Sequence, residues 1–394
     1  MRALTTYVAA RILPAFSSML LTMLCIQVLK PEDYAAYSLT LLAAGVAAGF
    51  VGGVSGQAML RYAHELSPSA LNLALIGFPL LAATLTCPLV LTYFAVRGNL
   101  TSAALLATAA LPLIALLDTR RSLFVARARA GAAFALDAWR AGLGLLFAAA
   151  LLLCWGPYVA APLLAQLLSV VACLLLVRPQ RTEVPAWAAR HVDRRYVGYG
   201  VGLAAWSAVI VGLSLAERSV LADVVGMSAS GRYAAQADVI NAVFSAGAGA
   251  LASTMMPAYL AQSQKQELAA LYRLRRLALL GIVAIALLCL LLGTLLALVK
   301  PGRIAQAVTS DVPTGFVLVL AGAVWAAAGF VQKPVELRGQ TYRLAAGVVL
   351  VLVLFLLIAP ALADRFAAFG VAAARLIAGC GYAALALAAA RPTR

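Results

Sequence analysis

The 394-residue sequence has few charged residues, because Asp, Glu, Lys and Arg together make up 11% of it. Hydrophobic residues make up 64%, and the mean hydropathy is +0.98. A soluble core of this size could not hide so much apolar surface, so the composition indicates that the solvent is a bilayer. The longest non-apolar stretch, near 178–195, is too short for a soluble domain, and we predict no second domain.

Residues suited to metal or redox chemistry are scarce: the chain has two histidines and six cysteines. All six cysteines fall in predicted spans without a CxxC pair, so they are predicted to be small packing residues. His64 and His191 lie in basic loops without metal-ligand spacing. The sequence also lacks a Gly-rich phosphate loop and a nucleophile–His–carboxylate set. We therefore predict no cofactor and no enzyme activity.

Long apolar runs dominate what is present, and a membrane-spanning helix needs roughly 20 apolar residues. Twelve stretches qualify: 10–29, 34–60, 71–95, 101–119, 134–154, 158–177, 197–222, 232–257, 277–298, 314–332, 343–361 and 366–390. No small-residue cleavage site follows the first stretch, which is therefore predicted to be an uncleaved span. The sequence predicts an all-α integral membrane protein with about 12 transmembrane helices.

Two short polar turns occupy corresponding places in the two halves of the chain. Residues 29–37 (LKPEDYAAY) and 225–233 (VGMSASGRY) each separate two long apolar stretches. Because each half has an even number of spans, we predict two six-helix lobes related by a pseudo-two-fold axis along the membrane normal. The predicted lobes are 1–177 and 196–394, joined by a cytoplasmic linker at 178–195. Repeats of this kind commonly enclose a substrate path, which favours transport.

The formal net charge of +16 could indicate nucleic-acid binding, but the placement of the cations argues against it. Most of the 30 Lys and Arg residues fall on one predicted side of the membrane. The cations predicted on the outer side are Lys30, Arg97, Arg218, Arg232, Lys300, Arg303 and Arg365. This asymmetry follows the positive-inside rule and predicts that both termini are cytoplasmic. The partner of this charge is therefore the lipid bilayer and not a nucleic acid.

Polar residues within spans are costly and usually face a cavity or a partner. The candidates for a polar cavity or for ion coupling are Ser214 and Glu217 in the seventh span, and Asp238, Asn241 and Ser245 in the eighth. The last three follow an i, i+3, i+7 spacing, which is typical of a cavity wall. Asp238 either binds a proton or sodium ion or neutralises Arg218 or Arg232. Glu217 and Arg218 are alternatively an interfacial pair.

Arginines within and at the ends of spans are candidates for binding an anion. Arg375 lies half-way along the last span, where snorkelling is hard, and so it needs Asp238, Glu217 or a substrate phosphate as its partner. Cytoplasmic span ends carry Arg11, Arg61, Arg121 and Arg140. These form either a vestibule for an anionic headgroup or simple positive-inside anchors, with Asp118 and Asp137 as alternative partners.

The second span also carries closely spaced glycines, Gly45, Gly49 and Gly53. Two overlapping Gly-xxx-Gly pairs suit the close approach of another helix. We predict packing, in preference to a hinge, as their role.

Several local motifs occur in the order in which one known family has them. AERSVLA at 216–222 precedes GRYAA at 231–235 and Met256-Pro257, and this order resembles the polysaccharide biosynthesis family, in which an acid–Arg pair ends the seventh span and Gly-x-Tyr opens the eighth. LKPEDYAAYS at 29–38 and QAMLRY at 57–62 resemble its first outer turn and the end of its second span. FAAFGVAAA at 366–374 is similar to the start of its last span. Ala35 departs from the family's usual Gly.

That resemblance implies an O-antigen flippase of the multidrug/oligosaccharidyl-lipid/polysaccharide exporter superfamily. Its substrate would be an undecaprenyl-diphosphate-linked oligosaccharide, an O-antigen or exopolysaccharide repeat unit, moved to the outer leaflet of the bacterial inner membrane by alternating access. A glycan polymerase complex is a further implied partner. Arginine binds phosphate through bidentate, permanently charged contacts. The implied diphosphate-binding residues are Arg11, Arg61, Arg121, Arg140, Arg218 and Arg375.

Other functions stay open at this point. A multidrug cation antiporter would share the architecture but should have a carboxylate deep in its first lobe, and spans 1–3 contain none. A lipid II flippase commonly has two further spans. A membrane glycan polymerase or glycosyltransferase needs a large outer loop, and the longest outer loop here, near 299–313, is short. A structural scaffold would not need two repeats with Pro-broken spans.

Overall fold

The computed structural model describes residues 2–66, 71, 73–98, 100–127, 129–177, 194–264, 268–298, 302–309 and 311–390. Within these residues, all regular secondary structure is helical. The helices are α1 (Arg2–Val28), α2 (Pro31–Gly52), α3 (Ala58–Tyr62), α4 (Phe78–Val96), α5 (Ser102–Ala126), α6 (Ala130–Cys154), α7 (Ala160–Leu176), α8 (Arg194–Val224), α9 (Met227–Gln264), α10 (Leu268–Leu298), α11 (Arg303–Thr309), α12 (Val312–Val331), α13 (Lys333–Leu337) and α14 (Thr341–Ala390). Two π-helical turns, Gly53–Gln57 and Leu73–Gly77, precede α3 and α4.

Wherever the structure describes them, the twelve predicted apolar stretches are largely helical, which confirms the all-α membrane fold. Eight helices in the described part of the chain are long and apolar enough to cross a membrane. The last two stretches share α14, which breaks at Ala367 (φ 49°, ψ −128°). Helix α14 therefore consists of two helical segments joined at one strongly non-helical residue.

The chain divides into two compact units that interleave along the sequence. The C-terminal unit comprises Met1–Ala35, Ala216–Arg338 and Leu350–Arg394, and the N-terminal unit comprises Ala36–Leu215 and Gly339–Val349. Helix α1 thus packs in the C-terminal unit, where it lies against α9. The predicted lobes, 1–177 and 196–394, stay a prediction. Most of the predicted linker, residues 178–193, lies outside the described residues.

In the N-terminal unit, glycines bring α2 and α8 together. A Cβ atom at Gly53 would lie 2.3 Å from the Cα of Ala204, and one at Gly49 would lie 3.4 Å from the backbone of Ser207. At Gly45 the Cβ would lie 3.2 Å from the side chain of Val211. These contacts confirm close packing as the role of the Gly-xxx-Gly pairs.

The π-helical turn between α2 and α3 is held by polar side chains from two other helices. The Tyr196 hydroxyl donates to the carbonyl oxygen of Ser55 at 3.0 Å. The Ser55 and Thr119 hydroxyl oxygens lie 2.8 Å apart. A π-turn disturbs the regular backbone ladder, and an apolar surrounding requires that the released carbonyl find a partner. The Ser55 carbonyl accepts the backbone N–H of Ala58, and the Tyr196 hydroxyl adds a second hydrogen bond to it.

In the C-terminal unit, the turn between α1 and α2 lies directly against the first turns of α9. A Cβ atom at Gly231 would lie 1.8 Å from the carbonyl oxygen of Pro31. Residue 231 therefore has room only for glycine.

Further along this unit, Trp325 stacks on Tyr382 with ring centroids 5.3 Å apart. The Tyr382 hydroxyl in turn donates to Gln332 Oε1 at 2.5 Å. Helices α12 and α14 are therefore joined by an aromatic contact.

Candidate functional site

Asp238 of α9 is the centre of the first polar cluster in the C-terminal unit. The hydroxyl of Tyr34 donates to Asp238 Oδ2 at 2.8 Å. The guanidinium of Arg218 on α8 forms an ion pair with Asp238 Oδ1. Tyr34 and Arg218 are each 2% exposed, so two buried side chains from different helices hold this carboxylate.

Glu217, the neighbour of Arg218 in the chain, is the centre of a second cluster. Its Oε2 atom accepts hydrogen bonds from the Tyr233 hydroxyl at 3.1 Å and from Arg375 Nη1 at 3.0 Å. Arg375 Nη2 donates to Asn241 Oδ1 at 2.9 Å. Glu217 is 1% exposed and Arg375 is 8% exposed. This cluster joins α8, α9 and the second segment of α14 by charge-assisted hydrogen bonds.

Together the two clusters contain two carboxylates and two guanidinium groups, so they carry no net formal charge. We call this set of seven residues the polar network: Tyr34, Glu217, Arg218, Tyr233, Asp238, Asn241 and Arg375. Its positive and negative groups compensate each other, as buried charges in proteins must. Three buried atoms of the network have no hydrogen-bond partner in the described part of the chain: Glu217 Oε1, Arg218 Nε and Arg375 Nε. The two guanidinium groups therefore keep N–H donors that the fold does not use.

The structure brings together five of the sequence-predicted site residues in this network: Glu217, Arg218, Asp238, Asn241 and Arg375. Of the alternatives left open, Asp238 pairs with Arg218, and Arg375 pairs with Glu217. Ser214 is half-buried and Ser245 is exposed. Neither belongs to the polar network, although the i, i+3, i+7 spacing placed Ser245 beside Asp238 and Asn241.

Sequence reasoning missed Tyr34 and Tyr233. Each tyrosine lies in one of the two polar turns that relate the halves of the chain. Both are buried, and each phenol donates to a different carboxylate of the network. The sequence did offer a signal: each tyrosine lies at the start of a predicted span, and a phenol there can donate to a carboxylate in a neighbouring span.

Of the four arginines predicted at cytoplasmic span ends, Arg61, Arg121 and Arg140 belong to the N-terminal unit. The side chain of the fourth, Arg11 of α1, lies outside the described residues. Arg121 Nε donates to both oxygens of Asp137, at 2.7 and 2.8 Å. Arg140 Nη1 donates to Asp118 Oδ1 at 2.8 Å. For these two arginines the structure shows the pairing with neighbouring carboxylates that the sequence left as an alternative.

Arg61 differs from these arginines because its contacts include aromatic rings. Its guanidinium carbon lies 4.8 Å from the ring centroid of Tyr199 and 5.5 Å from that of Tyr62. Its side chain is exposed. Cation–π contacts of this kind orient a guanidinium.

In the described residues, no group of three or more His, Cys, Asp or Glu side chains could hold a metal ion.

Comparison with known proteins places the chain by its fold. The sequence matches no known protein-family profile and no curated protein. Solved structures do match: a MATE transporter in a straight conformation has 16% identity and a TM-score of 0.64, over 98% of this chain and 94% of that chain. An inward-facing multidrug resistance MATE family transporter of the MOP superfamily has 15% identity and a TM-score of 0.64, over 98% and 96% of the two chains.

A third similar structure is a MOP superfamily transporter from Pyrococcus furiosus, described as having a binding pocket of reversed polarity and suggested to have a different function. It has 14% identity and a TM-score of 0.56, over 98% of this chain and 94% of that chain. The chain therefore has the fold of MATE and MOP superfamily transporters. At these identities the likeness shows the fold alone, and it does not single out the O-antigen flippases.

Proposed function

We propose that the chain is a membrane transporter, not an enzyme, and that it moves its substrate by alternating access. Its fold supports this, because similar multidrug resistance MATE transporters have been solved in inward-facing and outward-facing conformations. The polar network supports it too, because buried ionisable groups in membrane helices usually belong to a transport path. A network that ties α8, α9 and α14 together could also be broken and remade as these helices move.

The proposed substrate is an undecaprenyl-diphosphate-linked oligosaccharide, carried from the cytoplasmic to the outer leaflet. One observation carries this choice: both carboxylates of the polar network are paired with arginine. A transporter of organic cations needs a carboxylate that its own cations do not neutralise, whereas a diphosphate needs guanidinium donors. The unused Nε donors of Arg218 and Arg375 suit an anion. The motif resemblance supports the same substrate.

A multidrug cation antiporter is the second candidate, and the comparisons favour it over the first. Two of the three similar structures described above are MATE transporters, and one of these is named for multidrug resistance. In this case Asp238 or Glu217 would release its arginine and bind a proton or sodium ion during transport. The two candidates differ in the sign of the substrate charge, which an experiment can determine.

The proposed setting is the bacterial inner membrane, with both termini cytoplasmic and a glycan polymerase complex as a partner of the flippase. The placement of the cations supports this orientation. A reporter fused to either end tests the orientation independently of the substrate.

The lipid-linked glycan pool of cells that lack the chain provides the test of substrate. We expect undecaprenyl-diphosphate oligosaccharide to accumulate and surface polysaccharide to disappear, with recovery on expression of the wild-type chain. Arg218→Ala and Arg375→Ala should fail to restore export, whereas Arg365→Ala, a change at an exposed arginine of α14, should restore it. An unchanged glycan pool together with raised sensitivity to cationic drugs would reject the flippase and establish the antiporter.

A further inference from the structure

A cavity of about 290 Å³ lies within the C-terminal unit, at the turn between α1 and α2. Its polar lining consists of Lys30, Arg232, Arg303 and Gln306. Its apolar lining includes Ile26, Leu29 and Tyr34. Among the described residues that line it there is no carboxylate. The cavity thus joins three cations to an apolar wall, and we call it the cationic cavity.

The three cations come from three separate parts of the chain. Lys30 precedes α2, Arg232 lies in the first turns of α9, and Arg303 begins α11. All three are exposed. They are also three of the few cations that the sequence predicts on the outer side of the membrane. Because the positive-inside rule disfavours cations there, their convergence on one cavity requires a local reason.

The hydrogen bonds that these arginines form within the protein use few of their N–H donors. Arg303 Nη1 donates to the carbonyl oxygen of Gln27 at 3.0 Å, and Arg232 Nη1 donates to Ser228 Oγ at 3.2 Å. A guanidinium has five N–H donors, so each arginine retains several. Glu32, in the same turn, interacts with Ser228 and lies near Arg232 and Lys30. Because the described lining contains three cations and no carboxylate, the cavity is positively charged.

The shape of the cavity is fixed by close packing. The carbonyl of Pro31 lies directly on Gly231, where a Cβ atom would approach it to 1.8 Å. Tyr34, which lines the cavity, is held by its hydrogen bond to Asp238. A volume near 300 Å³ is at the lower end of ligand pockets and suits a headgroup better than a whole drug-sized molecule.

We propose that the cationic cavity binds the phosphate-bearing headgroup of an anionic lipid at the outer side of the membrane. Lys30, Arg232 and Arg303 contact the phosphate oxygens, and Ile26, Leu29 and Tyr34 contact the first carbons of the lipid chain. A free phosphate would use only the cations, whereas a lipid uses the apolar wall as well. The proposal does not depend on the proposed function, because any anionic lipid of this chemistry would bind here, whether or not the chain transports it.

Binding to the full chain in phosphatidylcholine nanodiscs tests the proposal, with calorimetric titration as the measurement. The probes are farnesyl diphosphate, dihexanoyl phosphatidylglycerol and inorganic pyrophosphate. We expect at least one lipid probe to bind about tenfold more tightly than pyrophosphate. The lipid that binds more tightly identifies the class of natural ligand, a prenyl diphosphate or an anionic phospholipid. Equal binding of pyrophosphate and both lipids would overturn the lipid assignment.

Variants locate the binding. Arg232→Gln and Arg303→Gln should each weaken the favoured lipid roughly tenfold, as loss of one charge-assisted contact predicts. Arg365→Gln is the matched control, since it removes an exposed cation of the same unit that does not line the cavity. Unchanged melting of each variant without ligand establishes that it is folded. Equal affinity in the cavity variants and the control would overturn the site. Export is not measured here, so failure of the flippase hypothesis leaves this result intact.

Discussion

Arg375 Nη1 donates to Glu217 Oε2 at 3.0 Å, although 158 positions separate the two residues in the chain. Both side chains are buried, and Arg375 lies in the second segment of α14 while Glu217 lies on α8. Removal of one partner from a buried ion pair leaves the other charge without compensation, which costs about 3–5 kcal/mol. The pair is therefore a sensitive point of the C-terminal unit.

Glu217→Gln should lower the stability of the protein by about 3–5 kcal/mol, because it leaves the Arg375 guanidinium buried without its counter-charge. Thermal unfolding of the purified chain in detergent measures the effect. Glu217→Gln combined with Arg375→Gln should cost less than the sum of the two single changes. Asp364→Asn, at an exposed carboxylate of α14, is the control and should change little. Additive losses would show that the pair is not coupled.

Tyr34→Phe should destabilise the C-terminal unit by about 1.5–3 kcal/mol, because Asp238 loses a hydrogen bond from a buried phenol. The effect should be smaller than that of Glu217→Gln, since Asp238 keeps its ion pair with Arg218. Thermal unfolding of Tyr34→Phe is compared with that of Tyr158→Phe, which serves as the control because Tyr158 is 62% exposed. If the two variants melt alike, the bond from Tyr34 to Asp238 contributes nothing.

Gly231→Ala should prevent normal packing of the turn between α1 and α2 against α9. The added Cβ would lie 1.8 Å from the Pro31 carbonyl oxygen, so the backbone itself would have to move. We expect the free energy of unfolding to fall by roughly 3 kcal/mol or more, which exceeds the usual cost of overpacking. Gly293→Ala has open space around its Cβ and should be neutral or gain about 1 kcal/mol from helix propensity. The yield of monodisperse protein from membranes and its melting temperature distinguish these outcomes.

Ala367→Gly should raise the stability of the protein by about 1 kcal/mol. Ala367 has φ 49° and ψ −128°, a conformation that glycine adopts readily and other residues do not. The opposite result is expected at Ala373, six residues after Ala367, where Ala373→Gly should cost about 1 kcal/mol in regular helix. Melting of both variants in the same detergent gives the comparison. A loss of stability in Ala367→Gly would mean that the backbone there is not strained.

The helices of this protein could be predicted from the sequence, because hydropathy alone decides which segments cross a bilayer. Hydropathy does not say which helices become neighbours, and so the packing of α1 against α9 was not foreseen. Asp238 and Asn241 were recognised because an apolar helix makes a polar residue conspicuous. Their partners were not determined, since a side chain such as Tyr34 reaches Asp238 only after tertiary packing.

The π-helical turn at Gly53–Gln57 has a consequence for the direction of every side chain that follows it. A π-turn contains one residue more than an α-turn, and each α-helical residue advances the helix by about 100°. Helix α3 therefore presents its side chains one position out of register with α2, and Arg61 and Tyr62 point where an uninterrupted helix would have placed their neighbours. Relaxation of this turn to α-helical geometry would rotate the end of α3 by about 100° and separate the Arg61 guanidinium from the Tyr199 ring, without moving α2 along its axis.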